Sequence, residues 1–206
     1  METLLRATWH ECVGGHPGSG AALDELLGRY REPHRRYHGI EHLRRVVRDV
    51  GLLLPGTDLP VPPAVVRLAA FFHDAVYDPT RHDNEAASAA LAGRVLIDLG
   101  VGDPALGEIE RLVLTTSGHT ADDPAAVVLA DADLAVLGGE PGVYRAYSEG
   151  VRAEYSHVTD GEWRHGRAEV LRSLLERDAI FRTEIMARNE TRARANLASE
   201  LRSLGQ

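Results

Sequence analysis

Residues 68–78 read Leu68-Ala69-Ala70-Phe71-Phe72-His73-Asp74-Ala75-Val76-Tyr77-Asp78, an apolar run that ends on an imidazole beside a carboxylate. Val66, Ala69, Ala70 and Val76 recur around Phe72 and His73 at helical spacing, and Pro62-Pro63 supplies a start signal, so the run predicts a buried helix. The same spacing extends outward to Leu43, Val46, Val47, Val50 and Leu54 on one side and to Val151 and Tyr155 on the other. Asp24-Glu25 and Asp103-Pro104 read as further helix openings. Breaks fall at 14–20, 55–63, 79–80, 100–104, 118–124 and 138–142, where glycine and proline cut the chain into pieces of helical length. Alternating runs between turn residues are scarce. The expectation is an all-α chain of eight to ten helices with essentially no sheet.

The 206 residues suit one domain, 1–206, with a core at about 20–185 and a C-terminal surface helix at 186–206. The surface assignment follows from Asn189 to Leu204, which is rich in Arg, Glu and Ala with only a thin apolar stripe. At 44% hydrophobic and 26% charged, the chain can fill a core. The net charge is −8 and no basic stripe is present, which argues against a nucleic-acid polymer as partner. All 23 basic residues are arginine, so Schiff-base and P-loop lysine chemistry are excluded. Cys12 is the single cysteine, which excludes internal disulfides and points to a reducing compartment. Met1 to Glu11 lacks the apolar core of a signal peptide, and no run approaches the ~18 apolar residues of a membrane span. The expected location is cytoplasmic, with no membrane partner and homo-oligomerisation left open.

Three constellations carry chemistry. In Tyr37-His38-Gly39-Ile40-Glu41-His42, His38 and His42 are four apart and share a face if the segment is helical. The bland alternative is two surface histidines at a helix start; a further one is the H-x-x-E-H pattern of inverted zinc proteases, with Glu41 as base. His73-Asp74 is a cheap dipeptide in a chain with ten histidines, and His82-Asp83 is a second copy. Context separates them. His82-Asp83 lies in a polar turn, where capping the helix at Asn84-Glu85 is the expected role. His73-Asp74 ends an apolar helix, where a buried imidazole and carboxylate cost several kcal/mol unless paired or metal-bound. The third is Asp131 and Asp133 inside Val127 to Leu137. Two residues apart they diverge by about 200°, so one is expected to reach a metal, and helical phase alone does not choose.

The ordered set of His, His-Asp and Asp resembles the HD-domain metal-dependent phosphohydrolase superfamily, and more narrowly a bacterial family of predicted metal-dependent HD phosphohydrolases. The matching stretches are Arg36-Tyr37-His38 to His42, Phe72 to Tyr77, Asp83 to Ala89, Thr115 to His119, Asp131 to Gly138 and Gly166 to Phe181, spanning roughly 20–185. The resemblance implies His42, His73, Asp74 and Asp133 as metal ligands, with Asp131 as fallback. It implies His38 as the acid that protonates the leaving oxygen. His119 falls where relatives keep a histidine for a second metal or a phosphate, and Glu85 is placed to orient water or hold a neighbouring histidine.

Two imidazoles and two carboxylates without sulfur suit one divalent ion such as Mn, Fe, Co, Ni or Zn, with a second ion left open. Asp74 would be both ligand and general base, and Arg35, Arg36, Arg44 and Arg81 are candidates to grip phosphate. The expected activity is hydrolysis of a small phosphorylated substrate or nucleotide. The rivals are a di-iron oxygenase of the same type and a non-catalytic metal- or nucleotide-binding regulatory module.

Overall fold

The computed structural model describes residues 2–118 and 123–205. Among them are eleven α-helices, two short 3-10 turns and no strand, in line with the all-α expectation. No helix there is long and apolar enough to cross a membrane. The chain divides into two compact units, Met1–Ala132 and Asp133–Gln206.

The first unit contains α1 (Thr3–Val13), α2 (Ser19–Arg29), α3 (Ile40–Leu53), α4 (Pro63–Phe72), α5 (Asn84–Asp98), α6 (Asp103–Thr115) and nearly all of α7 (Pro124–Leu134). Asp24-Glu25 therefore sits in mid-helix; α2 begins earlier, at Ser19 behind the left-handed Gly18. The hub is α4, which packs against α1, α3, α5 and α6. Apart from Pro63, Ala64 and Arg67 it is buried all round, through Val65, Val66, Leu68, Ala69, Ala70, Phe71 and Phe72. Pro63 at its first position fixes φ where the N–H has no helical partner anyway. Trp9 of α1 meets Phe71 edge-on at 5.2 Å between ring centroids and Phe72 at 6.1 Å. Truncating either phenylalanine to alanine would cost roughly 3–5 kcal/mol.

Against this hub α3 presents Leu43, Val46, Val47, Val50 and Leu53, with His42 on the same buried face. Gly100, at φ +76°, ends α5 in the left-handed conformation that only glycine adopts without strain, and its N–H bonds the Ile97 carbonyl.

The second unit holds α8 (Pro141–Glu154), α9 (Asp160–Leu175), α10 (Glu184–Ala187), α11 (Glu190–Ser203) and the 3-10 turn Ala135–Gly138. Thr159 and Glu162 form a full capping box at the start of α9. The C-terminal helix α11 packs on α9 and on the turn at Ala135–Gly138. Its stripe of Ala193, Asn196 and Leu197 is narrow but buried. The Asn196 side-chain amide donates to the carbonyls of Leu137 and Gly139. Glu200 accepts two hydrogen bonds from Arg167, at 2.8 and 3.0 Å, and one each from Tyr144 and Ser148. Few apolar residues suffice because polar groups complete the packing.

Candidate metal centre

His42 lies on the first turn of α3 and His73 caps the end of α4, each 1% exposed. The His73 Nδ1–H donates to the Ala70 carbonyl at 2.8 Å, one of the carbonyls that a helix end leaves without an intrahelical partner. Held that way, His73 turns its Nε2 toward the site. That atom is 2.9 Å from Nε2 of His42. Asp74 Oδ2 stands 3.3 Å from the His42 nitrogen and 3.2 Å from that of His73.

Burial alone would raise the Asp74 pKa, but the charge of His73, hydrogen bonds from both imidazoles and the charge of His38 outweigh it. The carboxyl is held well below its ordinary range and stays an anion.

Asp133, on the last turn of α7, stands with the two histidines. His42, His73 and Asp133 each offer one donor atom, and these atoms all lie within 4.8 Å of one another. Donors bound to one ion at about 2.0–2.2 Å are themselves about 3–4 Å apart, so the arrangement is of a size that can hold a metal. Nitrogen and carboxylate donors without sulfur suit a borderline divalent cation. The group contains Asp133 and not Asp131, which is 2% exposed.

The helix is set at its other end by Asp123, whose Oδ1 accepts the N–H groups of Ala125 and Ala126 at 2.9 and 3.1 Å. Arg111 holds the second oxygen of Asp123 at 2.8 Å.

No protein-family model, curated protein or solved structure matches this chain. The chemistry of the site rests on its own geometry.

The other expected residues fall as follows. His38 is not on a helix: α3 begins at Ile40 behind the extended Gly39, and a Cβ on Gly39 would lie 3.2 Å from the Tyr30 carbonyl oxygen. The shared-face argument fails, yet the turn brings the His38 ring to 5.5 Å from that of His42, stacked on Tyr77 at 4.3 Å. The inverted-protease pattern fails for the same reason, and because Glu41 is exposed and gripped by Arg44.

Arg35 does not reach out for phosphate. Its side chain is 0% exposed, and the guanidinium donates to Glu32 and to the carbonyls of His38, Asp74 and Ala75. Arg81 pairs with Asp83 at 2.8 Å through both its Nε and a terminal nitrogen, and Arg44 is engaged by Glu41. Asp83 occupies the N-cap position of α5 but makes no side-chain cap, because that pairing with Arg81 takes its carboxylate. Arg36 is exposed and lines an open groove of about 510 Å³ with Tyr37, Gly39, Ile40 and Glu41. Glu85 sits on the first turn of α5. His119 lies outside the described residues.

Sequence reading missed Tyr30, whose hydroxyl donates to the Phe71 carbonyl at 3.1 Å and faces the Asp74 N–H at 3.3 Å. The only available signal was a tyrosine close before the arginine- and histidine-rich segment 31–38.

Proposed function

We propose that the chain is a divalent-metal phosphohydrolase of the HD type, acting on a small phosphorylated or nucleotide substrate. The observation that carries the reading is the convergence of His42, His73 and Asp133 at one point, with Asp74 against both imidazoles. His42, His73 and Asp133 would hold the ion, which would supply a more acidic water and neutralise phosphoryl charge. His42 and His73 face the site through Nε2, and His73 is held in register by the Ala70 carbonyl. In this reading Asp74 supplies anionic charge beside both imidazoles and an oxygen that orients the attacking water. On the same reading His38, stacked on Tyr77 and with its ring 5.5 Å from that of His42, gives the proton to the leaving oxygen. The phosphate falls, in this reading, to Arg36, which lines the open groove beside Tyr37.

The test is metal analysis of protein purified without added metal, followed by a panel of phosphomonoesters, phosphodiesters and nucleotides. About one divalent ion per chain and phosphate release that chelator abolishes are expected. A metal-free protein that gains no ion on reconstitution, or a loaded one inert on the whole panel, overturns the proposal.

A further inference from the structure

We infer that Arg35 is a positioning residue for the metal centre: with Tyr30 it clamps the Asp74 peptide and registers it against the His38 turn. The inference rests on the metal-centre reading above. Asp74 lies just past the end of α4, in a turn closed by the Ala75 N–H bond to the Phe72 carbonyl at 3.0 Å. Both of its peptide groups are also held. Its N–H meets the Tyr30 hydroxyl at 3.3 Å, and that hydroxyl is oriented by its own bond to the Phe71 carbonyl. Its carbonyl accepts from Arg35 at 2.6 Å, and the next carbonyl, of Ala75, accepts from the same guanidinium at 3.2 Å.

The planar fork makes this possible. A guanidinium presents five N–H groups in fixed directions, which an ammonium cannot imitate. Two go to consecutive carbonyls of the Asp74 turn. A third reaches the His38 carbonyl at 3.0 Å, and Nε reaches Glu32 at 3.1 Å. The guanidinium lies 5.0 Å from the Tyr30 ring centroid and 5.6 Å from that of Tyr77, on which His38 stacks. One buried side chain thus ties the turn carrying His38 to the turn carrying Asp74, and its positive charge suits the carbonyl end of α4. An offset of a few tenths of an ångström in the Asp74 backbone would pass directly to an oxygen that stands 3.2–3.3 Å from both imidazoles.

The experiment is a Co²⁺ titration of the full chain, reading dissociation constant and visible spectrum, at a temperature where circular dichroism shows each variant folded. Arg35→Lys should weaken Co²⁺ binding by about 10- to 100-fold, the usual cost of losing support behind a ligand, and change the visible band. Tyr30→Phe keeps the packing and removes one hydroxyl; it should weaken binding by about 2- to 10-fold and carries the test if Arg35→Lys does not fold. Leu112→Ala in the α6 core should lower the melting midpoint without moving Co²⁺ affinity. Both clamp variants binding Co²⁺ like wild type, or Leu112→Ala weakening binding equally, overturns the inference alone. A wild type that takes up no Co²⁺, or takes it up unchanged after His42→Ala, overturns the metal-centre reading and the inference with it.

Discussion

Asp131 and Asp133 should separate cleanly into a stabilising residue and a ligand when metal-free and metal-loaded proteins are melted side by side. An ion present at 100 times its dissociation constant stabilises the folded state by about 2.7 kcal/mol. For about 130 residues unfolding together the entropy is about 0.28 kcal/mol per kelvin, so the midpoint should rise by about 10 °C on loading. Asp133→Ala removes a donor from the group at His42 and His73. If affinity drops 100-fold, the same ion concentration gives only about 0.4 kcal/mol, and the shift shrinks to about 1–2 °C. Asp131→Ala removes a carboxylate that is 2% exposed, and the loss of a buried hydrogen-bonded group costs about 1–3 kcal/mol. Its metal-free midpoint should therefore fall by about 4–11 °C while the shift on loading stays near 10 °C. Differential scanning calorimetry with chelator and with Mn²⁺ measures both quantities. The reverse pattern, with the loading shift lost in Asp131→Ala and kept in Asp133→Ala, would refute the assignment of the ligand.

His38→Ala should leave metal content at the wild-type level and lower kcat by roughly 10²–10⁴, with a smaller loss on nitrophenyl esters, whose leaving group needs no proton. Loss of metal in that variant would show a ligand instead of an acid. At Glu200 burial alone would raise the carboxyl pKa, but the hydrogen bond and charge of Arg167 outweigh it and hold it below the ordinary value. A depressed folded-state pKa contributes stability that is complete above the unfolded value of about 4.3 and is lost as pH falls through the folded one. Glu200→Gln should thus cost about 3 kcal/mol in urea unfolding at pH 7, with the gap to wild type closing below about pH 4; a gap independent of pH would mean the charge is not what matters.

The helices were legible because burial on one side leaves a three- and four-residue rhythm, clear in Leu43, Val46, Val47 and Val50 of α3. His73 and Asp74 were legible for the opposite reason, as polar groups where that rhythm has no room for them. The choice between Asp131 and Asp133 was not, since both sit in an apolar helix and only the position of His42 and His73 distinguishes them. Arg35 reads as one more cation in an arginine-rich segment. Its partners are mostly backbone carbonyls, two of them some forty positions away, and a carbonyl leaves no trace in composition. The packing of α11 was hidden likewise, because Asn196 and Glu200 take the place of apolar residues there. The division after Ala132 falls inside α7, where no glycine or proline marks it.

The capping of α7 has a consequence for heredity. Asp123 fixes one end of that helix and Asp133 stands at the other, so the nine residues between them, ten helical rises, act as a ruler of about 15 Å. Alanine, valine and leucine can replace one another along the ruler at modest cost. Gaining or losing a single residue would turn Asp133 by about 100° and carry it about 1.5 Å along the axis, handing its place to Ala132 or Leu134. Descendants of this sequence should therefore vary freely in the letters between Asp123 and Asp133 while keeping their number constant.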